Sequence, residues 1–598
     1  MPVLERVLVV GVPAAILAAL AWSSGGYFPR TWGAVLLVEA IVLAAVAILA
    51  ARAPTSLAGL GVVGGLLGLV GWQLVSRAWA VDPDATVLEA ERTLVYAGAA
   101  ATAFLTVTRD RADGLVMGIL VGTGVVTIGG LAEHVVGPGS PNDRLEAPVG
   151  YPNASGILAA TTLLLGLGLS AEAAPRRRAL AAGLAAPAAA ALYLSLSRGS
   201  LIAAAIGVVL LAVTTGRTVA LGRVALVALP AGGAFLLAAQ VGELDAPGAS
   251  LGEIAFLLAL VGLALAAAVL AVATPRIPVP HVSRNAGFAL GAAAAVLAVV
   301  ALAYLGAREI REARSTPAAQ QGAPERLLSG STSSRSEYWG VAGGMVEDAP
   351  LLGEGAGGFT RIWLRDRPAL LFVKDAHNLY LETLAELGPV GLAVLLVVLL
   401  SPLARARRAA GHPAGRAALA AYVALLAHAA IDWDWELPAV TLATVFLGVA
   451  VVQLGGRGDT LPLTPAARGA ILAGAALIGA VAIVAHAGNG ATAEAHEALD
   501  RGDASTAVRQ ADRARRFVPW AAEPWQLLGE AELAAGRVEP GRRHLRRATR
   551  EDPRSWSAWL SLAAASRGVE RERALERASG LNPLAPELET LASAARNP

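Results

Sequence analysis

The sequence predicts an all-α membrane protein: a polytopic transmembrane helical bundle of about 12–15 spans followed by a C-terminal helical-repeat domain. Three observations predict it. Hydrophobic residues make up 55% of the 598-residue chain and charged residues only 16%, with a mean hydropathy of +0.58. A globular domain is about one quarter charged. Apolar runs of roughly 17–25 residues, the length that crosses a bilayer's hydrocarbon core, recur along most of the chain. The final segment is polar and repeats with a fixed period.

The runs lie near 7–22, 32–51, 57–75, 94–108, 115–133, 153–171, 179–196, 199–215, 219–241, 251–273, 286–306, 385–402, 416–431, 438–455 and 467–487. The first follows Arg6 and ends in small residues, as a cleaved signal peptide would. The many spans behind it make an uncleaved first helix the simpler expectation. Tight hairpins at Ser197-Arg198-Gly199 and Gly216–Gly222 leave the count open by one or two.

Arginine in the short loops sets the orientation. With the N-terminus inside, the inner loops hold Arg52, Arg109/Arg111, Arg176–Arg178, Arg217/Arg223, Arg276/Arg284, Arg405/Arg407/Arg408 and Arg457. The outer loops hold fewer: Arg30, Arg77/Arg92, Arg144 and Arg198, with none in 242–250. The expected units are an N-terminal bundle (1–306), a large extracytoplasmic loop (307–384), C-terminal transmembrane helices (385–487) and helical repeats (491–598). Fifteen spans put the tail outside and fourteen put it inside.

Composition also excludes. A net charge of +2 offers no nucleic-acid footprint, and the absence of cysteine removes disulfides, thiolate zinc sites and a cysteine nucleophile. In the tail, Gly502 and Gly536, Pro519 and Pro553, and Trp525 and Trp559 all recur at the same interval of 34 residues. This period resembles tetratricopeptide repeats, and a stack of about three such units makes a small solenoid suited to docking a protein partner.

Ionisable residues at the membrane face carry the candidate chemistry. Of eight histidines, His134, His377 and His428 fall near the outer face. His377 stands in Asp375-Ala376-His377-Asn378, where the long loop re-enters the membrane. A histidine near neutral pKa at a wet face suits general-base work, although a surface histidine capping a helix reads the same way. Upstream lie Arg335, Glu337 and Trp339, then Asp348-Ala349-Pro350 and the glycine-rich Gly353–Phe359. Such glycines permit turns that present backbone amides to an anion. Arg144 and Arg198 lie in other outer loops. Arginine forks bind phosphate oxygens, so their convergence suggests a pyrophosphate-lipid site. Snorkelling at span ends is the alternative.

These segments, in this order, resemble the O-antigen ligase/polymerase superfamily of membrane glycosyltransferases. The matching pieces are Trp79, Asp82-Pro83, Glu89 and Arg92; Arg144 with Gly150–Asn153; Ser197-Arg198-Gly199; the run from Arg335 to Phe359; and His377-Asn378-x-Tyr380-Leu381 with Glu386-x-Gly388 and Gly391. The resemblance spans about residues 60–455, and some members carry a tetratricopeptide tail. It implies transfer of a glycan from a polyprenyl-diphosphate carrier to an acceptor hydroxyl on the outer face of a bacterial cytoplasmic membrane, without metal or other cofactor. It also implies His377 as base with Arg335 as its catalytic partner, and Arg335, Arg144, Arg198 and Arg92 as diphosphate ligands, Arg92 lying at the way in for the lipid. Glu337, Asp375, Asn378, His428 and Asp432 are expected as supporting residues. His428 and Asp432, four apart, would share a helix face, and Asp432-x-Asp434 also resembles the acidic pair of metal-dependent glycosyltransferases. A flippase for lipid-linked sugars and a non-enzymatic scaffold acting through the tail are the competing classes.

Overall fold

The computed structural model describes residues 3–137, 144–170, 174–215, 218–240, 251–274 and 335–596. The run at 286–306, the loop 242–250, the first part of the long loop (307–334), and Arg217, Arg276, Arg284 and His281 lie outside the described residues.

Ten helices form the first part of the bundle: α1 (Val3–Ala21), α2 (Trp32–Leu49), α3 (Leu57–Ser76), α4 (Pro83–Thr106), α5 (Ala112–Val136), α6 (Pro152–Leu169), α7 (Pro175–Leu194), α8 (Arg198–Thr215), α9 (Thr218–Gln240) and α10 (Leu251–Ala273). Then come α11 (Arg335–Asp348), α12 (Phe359–Asp366), α13 (Leu379–Leu400), α14 (Pro413–His428), α15 (Pro438–Leu454) and α16 (Pro465–Asp500). Among the described residues, nine helices are long and apolar enough to cross a membrane. Proline in the first turn starts α4, α6, α7, α14, α15 and α16, where its missing N–H is no loss.

Small residues let the helices touch. A Cβ added at Gly118 or Gly122 of α5 would lie 2.6 Å from Val10 O or 2.9 Å from Ala14 Cα of α1, so these two backbones are in direct contact. Lipid supplies no hydrophobic drive between helices, so such close packing has to hold them together. α6 is almost wholly surrounded by protein, against α7, α8 and α14.

Two faces can be distinguished. One carries the loops at 50–56, 107–111 and 455–464, joined by a short antiparallel pair, β1 (Arg52–Pro54) with β2 (Thr460–Pro462). Arg109 Nη2 lies 3.1 Å from His412 Nε2 on this face. The opposite face carries α11, α12, the turn before α13 and the α14–α15 connection. Of the arginine-rich loops expected to share a side, those of Arg52, Arg109/Arg111 and Arg457 therefore do meet.

The tail contains α17 (Ala504–Phe517), α18 (Glu523–Ala534), α19 (Val538–Glu551), α20 (Trp556–Ala565), α21 (Gly568–Leu581) and α22 (Pro586–Arg596). Gly502, Gly536 and Gly568 open successive turns with φ of +73°, +75° and +56°, a conformation that costs glycine little. One difference from expectation appears. No break separates the last span from the tail, because α16 runs 36 residues, about 54 Å, without a breaker strong enough to end it. The tail also packs against the face that carries α11 and α12: α12 touches α21, and Asn489 Nδ2 donates to Glu91 Oε2 at 2.9 Å. Tail and loop share a face, the question the span count left open.

Candidate active site

The site is organised on the carboxylate of Asp432. α14 ends at His428, and Asp432 follows in the turn before α15. This corrects the expectation that His428 and Asp432 share a helix face. The Asp432 side chain is 1% exposed and accepts four hydrogen bonds. Tyr151 Oη (2.7 Å) and Trp433 N (3.0 Å) donate to Oδ1, while Asn153 Nδ2 (2.6 Å) and Arg335 Nη2 (2.8 Å) donate to Oδ2. Arg144 is one step further out: Nη2 donates to Asn153 Oδ1 at 2.7 Å and Nε to Ser195 O at 3.0 Å. Burial pushes the Asp432 carboxyl up, but His428, His377 and Arg335 together outweigh it and hold it below the usual carboxylate range.

Beneath the hub, His428 Nε2 lies 3.0 Å from Asp434 Oδ2, with both side chains buried. The pair is at ion-pair distance without hydrogen-bond alignment. Gly199 makes room for it, since a Cβ there would sit 2.9 Å from His428 Cε1. Arg198 opens α8 beside this contact, and Ser200 Oγ donates to Asn153 O at 3.1 Å.

His377 adopts φ +56°, unusual for a residue with a side chain. Its Nδ1 is 3.0 Å from the backbone carbonyl of Asp375. A carbonyl oxygen only accepts, so that pairing assigns the proton to Nδ1 and leaves Nε2 basic. Burial lowers the imidazole pKa, Arg335 lowers it further, and Asp432 and the Asp375 carbonyl partly offset this, so the ring is neutral near pH 7. The ring lies 5.1 Å from Tyr338 and 6.4 Å from Trp433, and Trp433 continues the wall to Tyr151 and Tyr27. Asn378 caps α13, accepting from Tyr380 N and Leu381 N. Burial, reinforced by Glu89 and Asp432 and opposed by Arg92 and Lys374, pushes the Asp375 carboxyl up to about 7.

The glycine-rich segment does present backbone amides, but to a carboxyl group of the protein's own. Gly357 N and Phe359 N donate to Glu386 Oε2 and Oε1 at 2.8 and 2.9 Å. Gly355 N also donates to Glu386 O at 2.8 Å. The segment is a clasp on α13.

Arg92 is a second correction. It is buried, and its guanidinium is engaged by both carboxylate oxygens of Glu436 and by Glu89. Its charge is already balanced inside the protein, so it is no ready diphosphate ligand. It does line a cavity of about 130 Å³ between α3, α4, α13 and α15. One end of the cavity is polar, with Glu89, Arg92, Glu382 and Gln73, and the rest is apolar, with Leu66, Leu69, Leu395 and Val398.

Two groups, His428/Asp432/Asp434 and Asp375/Glu382/Glu436, place possible cation ligands within 4.8 Å of one another. In the first, both oxygens of Asp432 already accept two donors each. In the second, Glu436 is committed to Arg92. A cation in either would have to displace these partners.

Of the residues singled out in sequence, Arg144, Arg335, His377 and Asp432 converge, with His428 and Arg198 at their edge. Asp375 contributes its backbone carbonyl. Glu337 is exposed on α11, and no hydrogen bond or ion pair joins it to the hub. Tyr151, Asn153, Tyr338 and Glu436 were not expected in the site. The first two stand in the Gly150–Asn153 motif, but a motif does not say which side chains meet.

No curated protein matches the chain. Residues 249–396 match the family model described as O-antigen ligase, which supports the ligase/polymerase superfamily and a glycosyltransferase-type activity for this multi-pass membrane protein.

Proposed function

We propose that the chain transfers a glycan from a polyprenyl-diphosphate carrier to an acceptor hydroxyl at the outer face of a bacterial cytoplasmic membrane, with inversion and without a metal. The observation that carries this reading is the His377 tautomer: Nδ1 is held by the Asp375 carbonyl, and Nε2 is left as a base beside the arginine-bearing hub.

In the reaction, the acceptor O–H gives its proton to His377 Nε2 while its oxygen bonds to the anomeric carbon. The bond from that carbon to the diphosphate oxygen breaks, and the carrier diphosphate leaves with the electron pair. A diphosphate needs charge neutralisation more than protonation, and Arg335, Arg144 and Arg198 supply it. Asp432 holds Arg335 directly, and Asn153 links it to Arg144, so the cations are positioned before the donor arrives. The apolar walls of the cavity at Arg92, along α3 and α13, suit a short stretch of the prenyl chain. The tail is read as tetratricopeptide-type.

The test is transfer in proteoliposomes holding a polyprenyl-diphosphate glycan and candidate acceptors. Wild type transfers, and His377→Ala and Arg335→Ala lose transfer by two orders of magnitude or more, roughly what a positioned base contributes. Normal transfer by both variants would overturn the assignment. Loss of transfer on chelation would favour the Asp432/Asp434 cation site. Carrier crossing the bilayer without transfer would favour a flippase.

A further inference from the structure

The tail meets the membrane module through its inter-repeat corners. The corner after Val518 supplies Trp520 O to Arg77 Nη2 (3.3 Å) and Ala522 N to Asp84 Oδ2 (2.7 Å). The next supplies Asp552, which pairs with Arg361, and Arg554, whose Nη1 donates to Ala80 O at 3.3 Å. The third supplies Asn582, whose Oδ1 accepts from Arg367 Nη2 at 2.9 Å. Each corner carries an Xaa-Pro step, at 518–519, 552–553 and 582–583. Successive repeats thus use one edge for the same purpose.

Arg361 is the centre of this contact. Its Nε donates to Asp82 Oδ2 at 2.6 Å, and Asp82 also caps α4 by accepting from Ala85 N. The other side of the same guanidinium engages Asp552, which is 4% exposed. Arg361 belongs to α12, and α12 supports both halves of the candidate site. Phe359 and Trp363 are fully buried with Ala342 and Met345 of α11, the helix that begins at Arg335. Trp363 stands edge-on to Tyr338 at 5.0 Å, and Tyr338 lies against His377. Thr360 Oγ1 donates to Lys374 O at 2.8 Å, tying α12 to the segment just before His377.

We propose that the tail is a brace in cis for the reaction segment, and that Arg361, shared by Asp82 and Asp552, is the positioning residue through which it acts. This rests on the reading of 335–378 as the reaction segment. The tail's corner edge is then occupied within the chain, and any partner has to use another face. Buried charge-assisted bonds of this kind define one geometry, because a guanidinium left short of a carboxylate in a dry interface is costly.

The experiment uses the full-length protein in proteoliposomes, with Asp552→Asn and Asn582→Ala made separately and Asp552→Glu as the conservative control. Hydrogen exchange is followed over residues 359–378, over α17–α18 and over the spans, alongside glycan transfer. The expected result is exchange about tenfold faster or more over 359–378 in Asp552→Asn and in Asn582→Ala, with α17–α18 still protected. Transfer falls by about tenfold, and Asp552→Glu recovers part of both losses. Unchanged exchange over 359–378 in both variants overturns the brace, whatever happens to transfer. If Asp552→Asn unfolds the tail, Asn582→Ala, at a separate corner, decides. If wild type itself transfers nothing, the proposed reaction fails, while the exchange result still decides the brace.

Discussion

Arg335 Nη2 and Asn153 Nδ2 both donate to the same oxygen of Asp432, at 2.8 and 2.6 Å. One carboxylate oxygen therefore fixes a residue from the start of α11 relative to one from the first turn of α6. Asp432→Ala removes the acceptor that Asn153 and the partly buried Arg335 guanidinium, 21% exposed, share. After allowance for that exposure, a stability loss of about 1–3 kcal/mol is expected, with Asp432→Asn milder because its carbonyl still accepts. Denaturation in detergent and donor binding should fall together for Asp432→Ala.

The backbone at His377 separates geometry from chemistry. Asparagine tolerates positive φ better than most residues, so His377→Asn should keep the turn and the α13 cap. It has no base. Transfer should drop about 10²–10⁴-fold while donor binding stays within a few-fold. Equal loss of binding would mean His377 acts by holding the loop.

The pH behaviour follows from two groups outside the spans. His377 has its pKa lowered below 6.5. Its base form therefore persists below pH 6.5, and transfer should fail only as pH drops through that lowered value. Asp375 has the opposite linkage. Its folded pKa, about 7, exceeds its ordinary value of 3.8. The folded segment binds this proton more tightly than the unfolded chain does, so stability from this group is full below pH 3.8 and is lost as pH rises towards 7. Asp375→Asn should flatten the pH dependence of amide exchange at 374–378. An unchanged slope would assign it to another group.

Gly199 is a steric prediction. In Gly199→Ala, the methyl group meets His428 Cε1 at 2.9 Å and Nδ1 at 3.1 Å. The ring is buried against Asp434 and cannot swing into solvent. A cost of about 1–3 kcal/mol is expected, as for overpacking elsewhere, with reduced transfer. Thermal unfolding of Gly199→Ala beside Ala203→Gly, a nearby change that adds no bulk, checks it.

Glu386 holds the glycine clasp through two backbone amides. Glu386→Ala leaves those donors unpaired. Leaving a buried donor unsatisfied costs about 1–3 kcal/mol, so the segment 353–359 should lose protection from exchange by about tenfold. Gly355→Ala attacks the same clasp from outside, because its methyl group would lie 2.3 Å from Ala80 Cβ at a φ of +90°. The two variants should loosen the same peptides.

Much of the fold was legible because its determinants are local. Apolar length sets where helices cross, first-turn prolines mark where they begin, and loop arginines sort them onto two faces. The positions of Arg335, Arg144 and His377 were legible as chemistry without geometry. Arg92 was misread for a physical reason: a lone arginine in an amphipathic segment looks available until Glu436, 344 residues away, is seen to neutralise it. The glycine run was misread similarly, since the group its amides cradle is the Glu386 carboxyl.

By itself, the sequence determined an all-helical membrane chain, the approximate course of its spans, a repeating tail and the residue types able to handle a diphosphate. Only the tertiary structure decided that Asp432 is the hub, that α16 carries the tail onto the face of α11 and α12, and that Arg361 joins that tail to α12 and α4. Hydropathy and helix starts are encoded over a few neighbouring residues. A charge shared between Asp82, Arg361 and Asp552 exists only once distant segments are packed together.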